Sequence, residues 1–329
     1  YFKMRKKFDK PYYLYSWDGG DDHVVVPGKR GYATPQLTQE HTDQTAWLLS
    51  ALADYNRTFG DHTVGVTVGM EAEEKQQDFL GAFRKYFLSD KIDEMNAGGM
   101  TDLTNNGSSW KERRKNYFGR VSYNYLERYL LEFVWRVDGS YRFPKEKRYG
   151  FFPGVSLGWR VSEENFWKEH IKAIDYLKIR ASWGEMGNDN VDKFQYITAY
   201  TFSNPAILNG SAQTGVWLNR TANPNITWEV ADTYDVGLEA KFLRDFNFEF
   251  DWFYTKRNNI LATRNAAIPE YAGLKLPDEN IGKCSSRGFE VSLGWNKRIN
   301  SDWSLRASGN FSYAKSRIDF IDEPSTTLA

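Results

Sequence analysis

Residues 246–254 read Phe246-Asn247-Phe248-Glu249-Phe250-Asp251-Trp252-Phe253-Tyr254. Phe246, Phe248, Phe250, Trp252 and Tyr254 occupy every second position, against Asn247, Glu249, Asp251 and Phe253. Successive side chains of a strand point to opposite faces, so this stretch is a strand with one apolar and one mostly polar side.

The same alternation recurs along the chain. Tyr129, Leu131, Phe133, Trp135 and Val137 stand against Leu130, Glu132, Val134, Arg136 and Asp138. Phe289, Val291, Leu293 and Trp295 stand against Glu290, Ser292 and Gly294, and Trp303 to Tyr313 repeats the pattern with Leu305 and Phe311 facing Arg306 and Asn310. No charge falls on any of these apolar faces. About ten strands are expected, over 42–56, 62–74, 112–126, 128–142, 150–162, 176–186, 228–242, 246–257, 286–297 and 303–316. Each is long enough for a tilted bilayer crossing, which takes about 9–11 residues.

Connections alternate in length. Short turns are expected at 57–61, 126–128, 243–245 and 296–302, and long polar loops at 75–111, 187–227 and 258–285. Short turns on one side and long loops on the other characterise outer-membrane barrels, with the turns periplasmic. Ser162-Glu163-Glu164-Asn165 begins a further turn, 162–175, that carries a short helix with Phe166, Trp167, His170, Ile171 and Ile174 at helical spacing. Phe79, Phe83 and Phe87 recur four apart, as a short amphipathic helix or an irregular strand extension would place them.

Alternation alone also fits a soluble antiparallel sandwich, whose apolar faces turn inward. Strand length favours the membrane barrel, since soluble strands usually run about 5–6 residues. So do the repeated loop asymmetry and the aromatic pairs Tyr125/Tyr129 and Trp295/Trp303 that flank short turns, where amphipathic rings suit a membrane–water interface. A lipid-facing Arg or Lys near the midplane costs about 2–4 kcal/mol. The lumen-facing set is therefore Arg120, Glu132, Arg136, Asp138, Arg160, Arg180, Glu239, Glu249, Asp251, Glu290 and Arg306, in which both signs invite mutual pairing or contact with a plug.

Composition narrows the function classes. Among 329 residues, 16% are aromatic and 26% charged, and no run of about 18 apolar residues offers a transmembrane helix. Lys+Arg and Asp+Glu balance at 43 each, so bulk charge points to no nucleic-acid partner. One cysteine, Cys284, and four histidines give no disulfide, no metal spacing and no nucleophilic triad; neither catalysis nor a cofactor is expected. The acidic groups Asp18, Asp21, Asp22 with His23, and Asp189 with Asp192, lack the regular spacing of a calcium loop and read as solvated loop charge. In 138–143, Gly139 is read as bending the strand mouth and Asp138 as pairing locally with an Arg. Trp17, Trp110, Trp217 and Tyr271 are loop aromatics suited equally to stacking on sugar rings and to packing loops together.

In order, the chain carries Arg136-Val137-Asp138-Gly139-Ser140-Tyr141-Arg142-Phe143, then Gly150-Phe151-Phe152-Pro153-Gly154-Val155-Ser156-Leu157-Gly158-Trp159-Arg160, then Leu177-Lys178-Ile179-Arg180-Ala181-Ser182-Trp183-Gly184 ending in Gly187-Asn188. Asn223-Pro224-Asn225 leads on to Trp228-Glu229. This series resembles the barrel of SusC/RagA-type TonB-dependent transporters over roughly 60–323, most densely over 117–188 and 223–316. Tyr141 departs from the family, which more often has a small residue there. The resemblance implies a 22-stranded barrel around an N-terminal plug, energised through the TonB complex. It implies outer-membrane lipid around the wall, a SusD-like surface lipoprotein over the mouth, and glycan or peptide cargo, in an outer membrane of Bacteroidota type. On this reading residues 1–329 are one all-β antiparallel barrel fragment, an internal-to-late piece whose plug, TonB-binding segment and closing strands lie outside it. A passive porin or adhesin barrel and a soluble carbohydrate-binding β-sandwich are the alternatives.

Overall fold

The computed structural model describes residues 1–17, 23–25, 30–263 and 277–322, without the side chains of 15–17, 23–25, 203–206, 208, 212, 217, 219 and 220. Its strands are β1 (Phe2–Asp9), β2 (Tyr15–Trp17), β3 (His23–Val25), β4 (Gln36–Phe59), β5 (His62–Lys85), β6 (Thr104–Tyr125), β7 (Tyr129–Ser140) and β8 (Tyr149–Arg160). They continue with β9 (Ile174–Asn188), β10 (Ala199–Leu208), β11 (Ser211–Arg220), β12 (Glu229–Phe242), β13 (Phe246–Thr263), β14 (Asp278–Arg298) and β15 (Ser304–Phe320). One sheet of eleven strands takes the order β1-β4-β5-β6-β7-β8-β9-β12-β13-β14-β15. Among the described residues, hairpins β2–β3 and β10–β11 pair only within themselves.

Each of the ten expected strands is present. Several run well past the alternating stretch: β4 and β5 have 24 residues each and β14 has 21, about twice what one crossing needs. The first long loop accordingly shrinks to 86–103, and Phe79 and Phe83 belong to the strand extension rather than to a helix. Strand β1 and the hairpins β2–β3 and β10–β11 were not expected. Strand β1 pairs with the start of β4, from Phe2 opposite Asp43 to Asp9 opposite Gln36. Hairpin β10–β11 occupies the second long loop and turns at Asn209-Gly210, whose φ values of +52° and +77° are those a primed two-residue turn requires. The β8–β9 connection holds a 3-10 turn at Val161–Glu163 and helix α1 at Asn165–His170, one turn shorter than the pattern of apolar residues proposed.

The chain divides into two compact units, Tyr1–Leu49 with Glu73–Arg113, and Ser50–Ala72 with Arg114–Ala329. In the first, Phe8 meets Phe87 edge-on at 5.1 Å, Leu37 is fully buried, and Lys6 pairs with Asp93 at 3.2 Å and Glu94 at 3.4 Å. In the second, the buried cluster is Phe143, Phe152, Ile226 and Trp228, set at the loop ends of β7, β8 and β12. Many of this unit's other apolar side chains lie on one uncovered sheet face; Leu157, Leu293 and Phe311 remain 55%, 45% and 60% exposed. An uncovered apolar face of this extent marks a surface built for something other than water.

Candidate functional site

Pairing register decides which charges share a face. Directly opposed residues point the same way, and the opposed rows can be followed from β6 to β15. Ser122 opposes Glu132, which opposes Ser156, which opposes Ser182, which opposes Asp235. One row along, Gly158 opposes Arg180, then Gly237, Asp251, Glu290 and Ser312 follow in turn. Alternation from these rows puts Arg120, Glu132, Arg136, Asp138, Arg160, Arg180, Glu239, Glu249, Asp251, Glu290 and Arg306 on one face of the second unit. The opposite face carries Phe133, Val155, Trp183, Tyr234, Trp252, Phe289 and Phe311.

The polar face is organised around Arg180. Its Nη1 donates to Asp235 Oδ1 at 3.2 Å, its Nε lies 3.2 Å from Glu239 Oε1, and its Nη2 reaches both Glu249 and Asp251. Lys178 supplies a second cation to Glu239 at 3.3 Å. Gly237 makes this possible, because a Cβ there would stand 2.7 Å from Arg180 Cζ and 2.4 Å from Asp251 Oδ1. The guanidinium therefore lies over the glycine and reaches from β9 to carboxylates on β12 and β13. Charge is segregated: cations dominate β6 to β9, and carboxylates dominate β12 to β14. Beside the cluster is a hollow of about 480 Å³, floored by Ser156, Gly158 and Ser182 and flanked by Arg120, Glu132 and Asp235. Lys178 and Asp235 were not singled out from the sequence, although both fall in step with Arg180 and Glu239.

At the loop end the contacts are tighter. Arg136 holds Asp138 through two nitrogens, with Nη2 at 2.9 Å, as the local-pairing reading of that motif expected. Asp189 is not the solvated loop charge it was read as. Its carboxylate accepts from Ser140 Oγ at 2.8 Å and lies 2.9 Å from Arg114 Nη2, while Arg142 Nη1 donates to the carbonyls of Asp189 and Val191. Asn223 Nδ2 donates to the Asp278 carbonyl at 2.6 Å, and Asn280 binds Thr227 through both its backbone N–H and its C=O. Both legs of the connection that carries β10–β11 are thus pinned to the sheet. Among the described residues, no group of three or more His, Cys, Asp or Glu could hold a metal ion.

On the short-turn side, Glu164 accepts from Tyr129 Oη at 2.6 Å and Trp159 Nε1 at 3.1 Å, with Arg128 Nη1 3.4 Å away. Those hydroxyl and indole donors hold its carboxyl below the ordinary carboxylate range. The Lys168 ammonium does the same for Glu163. These contacts tie the turn before α1 to the β7 strand.

The four aromatics proposed to contact cargo are not brought together as one described site. Trp110 lies within β6, not in a loop, and is half-buried. Trp17 and Trp217 fall on strands β2 and β11, again not in irregular loop, and their side chains lie outside the described residues, as does the whole of Tyr271. Asp18, Asp21, Asp22 and the His23 side chain also lie outside them.

The family model "TonB dependent receptor-like, beta-barrel" matches residues 5–328. The chain belongs to that family. It is 30% identical over 286 residues to TonB-dependent receptor P3 of Formosa agariphila, covering 86% of this chain and 28% of the relative. It is 32% identical over 206 residues to TonB-dependent receptor SusC of Bacteroides thetaiotaomicron, covering 61% of this chain and 20% of SusC. Among solved structures, the RagAB peptide importer in its open-open state superposes with a TM-score of 0.80 at 20% identity, over 97% of this chain and 33% of the other. The chain spans between 20% and 28% of the length of the curated relatives it matches. The sheet is therefore part of the wall of an outer-membrane TonB-dependent receptor barrel, a family of transporters and not of enzymes, with sequence likeness to SusC and fold likeness to RagAB. The soluble-sandwich alternative falls with this assignment.

Proposed function

We propose that residues 1–329 are one stretch of the barrel domain of an active importer of large nutrients, with the Arg180 face lining its lumen and the aromatic face set in lipid. The observation that carries this reading is the register: every charged residue of the expected lumen set falls on one face, backed by a face free of charge through its middle rows. Outer-membrane strands alternate in this way because lipid penalises charge and a watery interior does not.

In the complete protein, import is driven through the TonB complex, and a SusD-like surface lipoprotein closes over the loop end. Membership of the TonB-dependent receptor family supports the first, and likeness to the RagAB fold supports the second. Cargo is an oligosaccharide or peptide. Trp17, Trp110, Trp217 and Tyr271 are our candidates for touching it, because flat rings stack on sugars and on peptide planes alike.

The test is uptake by cells carrying the complete gene and its neighbours, with labelled oligosaccharide and peptide mixtures. Uptake that stops when TonB is deleted or the proton gradient is collapsed supports the reading. Uptake indifferent to both would identify a passive pore instead.

A further inference from the structure

Following the apolar face toward the long loops, the rows change character across β13, β14 and β15. Trp183, Tyr234 and Tyr254 oppose one another in one row, with Tyr234 and Tyr254 stacked at 6.4 Å. The same row continues through Arg287 and Lys315, and the next row sets Lys256 opposite Ser285 and Ser285 opposite Arg317. Four exposed cations thus lie on three adjacent strands, on the side that carries Phe289, Phe311 and Tyr313.

Arg287 and Lys315 are directly opposed, and like charges so placed destabilise a sheet. Among the described residues neither has an ion-pair partner, and Arg317 has only Asp319, at 3.8 Å. Asp232 directly opposes Lys256 in the outer row, and Glu185 opposes Asp232 in turn. Those carboxylates offset Lys256 but lie two strands or more from Lys315 and Arg317 and one row out from Arg287. Arg287 and Lys315, with no ion-pair partner among the described residues and set on the proposed lipid-facing side, call for an anion from outside these strands.

Height fixes what that anion belongs to. From the Phe246–Trp295 row near the short turns to the Tyr254–Arg287 row is eight residues of β13. That is roughly 27 Å along the strand, or about 21 Å across the membrane at a tilt near 40°. The apolar band of such barrels is about 25 Å tall, so the cations stand at its outer boundary, where headgroup phosphates lie.

We infer that Lys256, Arg287, Lys315 and Arg317 form a binding site for the phosphorylated headgroup of an outer-leaflet glycolipid. The inference rests on the assignment of faces proposed above. Arginine offers paired N–H donors to phosphate oxygens and lysine a mobile point charge, and the apolar face immediately below receives acyl chains.

The experiment uses the complete transporter purified in detergent, with purified lipopolysaccharide and its enzymatically dephosphorylated form as probes. Binding is followed by native mass spectrometry and titration. Each single change among Lys256→Gln, Arg287→Gln, Lys315→Gln and Arg317→Gln is expected to weaken binding of the phosphorylated form about fivefold, and the four together by more than a hundredfold. Inorganic phosphate at millimolar concentration is expected to leave the complex intact. Equal binding of the dephosphorylated form, displacement by phosphate alone, or full binding by the fourfold variant would each overturn the inference. Retention of the heat-sensitive folded band on gels shows that the variants keep the barrel. Spin labels at Leu293→Cys and Ser292→Cys separate this inference from the reading beneath it. If the Leu293 label meets a lipid-soluble quencher and the Ser292 label does not, the faces stand and a loss of predicted binding sinks the lipid site alone. The reverse pattern overturns both.

Discussion

Arg180→Met removes the one guanidinium that Asp235, Glu239, Glu249 and Asp251 share, while keeping the aliphatic stem. Arg180 and three of these partners are between 18% and 31% exposed and Glu249 is 53% exposed, so the pairs are partly screened. Each is worth about 0.2–0.6 kcal/mol at such exposure. The carboxylates left behind include Glu239 directly opposite Glu249, and Asp251 directly opposite Glu290, and opposed like charges add to the loss. The sum is about 1–4 kcal/mol, read as a lowered urea midpoint for the complete protein in detergent. Because much of it is repulsion between partly exposed groups, the deficit should shrink between about 0.05 and 0.5 M salt. It should shrink again when Glu249→Gln and Asp251→Asn are added, since removing the orphaned charges removes their conflict. Arg180→Lys should recover less than half, because one ammonium cannot reach acceptors on two strands at once. A deficit under about 0.5 kcal/mol, or one that neither salt nor the added substitutions reduce, would refute the view that charge organises this wall.

Three further outcomes follow from the same geometry. Gly237→Val is expected to destabilise by about 1–3 kcal/mol, since its side chain would displace Arg180 and Asp251 together; a neutral result in the same urea measurement would place the guanidinium elsewhere. Glu164 has a folded-state pKa below its unfolded one, so its stabilisation is fully present above the unfolded value of about 4.3 and is lost as pH falls through the lower folded value. Protease cleavage in the 161–173 turn should therefore rise on acidification below about pH 4, and Glu164→Gln should flatten that rise. Asp189→Asn weakens the charge-assisted contacts to Arg114 and Ser140 by about 1–3 kcal/mol, which predicts roughly fivefold to a hundredfold faster proteolysis in the β9–β12 connection with the sheet itself unchanged.

The two faces of each membrane strand were legible from the sequence because alternation is a property of covalent geometry. Phe246, Phe248, Phe250, Trp252 and Tyr254 must point to one side whatever the strand pairs with, and the lumen set follows once one side is lipid. Strand length was legible only within that band. Beyond it polar residues fill both sides, so Gln36–His41 and Glu73–Asp78 lose the alternation while pairing continues through backbone groups that every residue carries. Strand β1 and the Asn209-Gly210 turn did leave signals, in Phe2, Met4 and Phe8 and in the turn residues themselves, that a reading centred on long strands passed over. Tertiary structure alone decided the partners. Arg180 meets Glu249 and Asp251 across an intervening strand because the β9–β12–β13 register aligns them over Gly237, and Asp189 finds Arg114 from 75 residues away. Sequence sets which way a side chain points. Register, fixed by hydrogen bonds between strands far apart in the chain, sets what it meets.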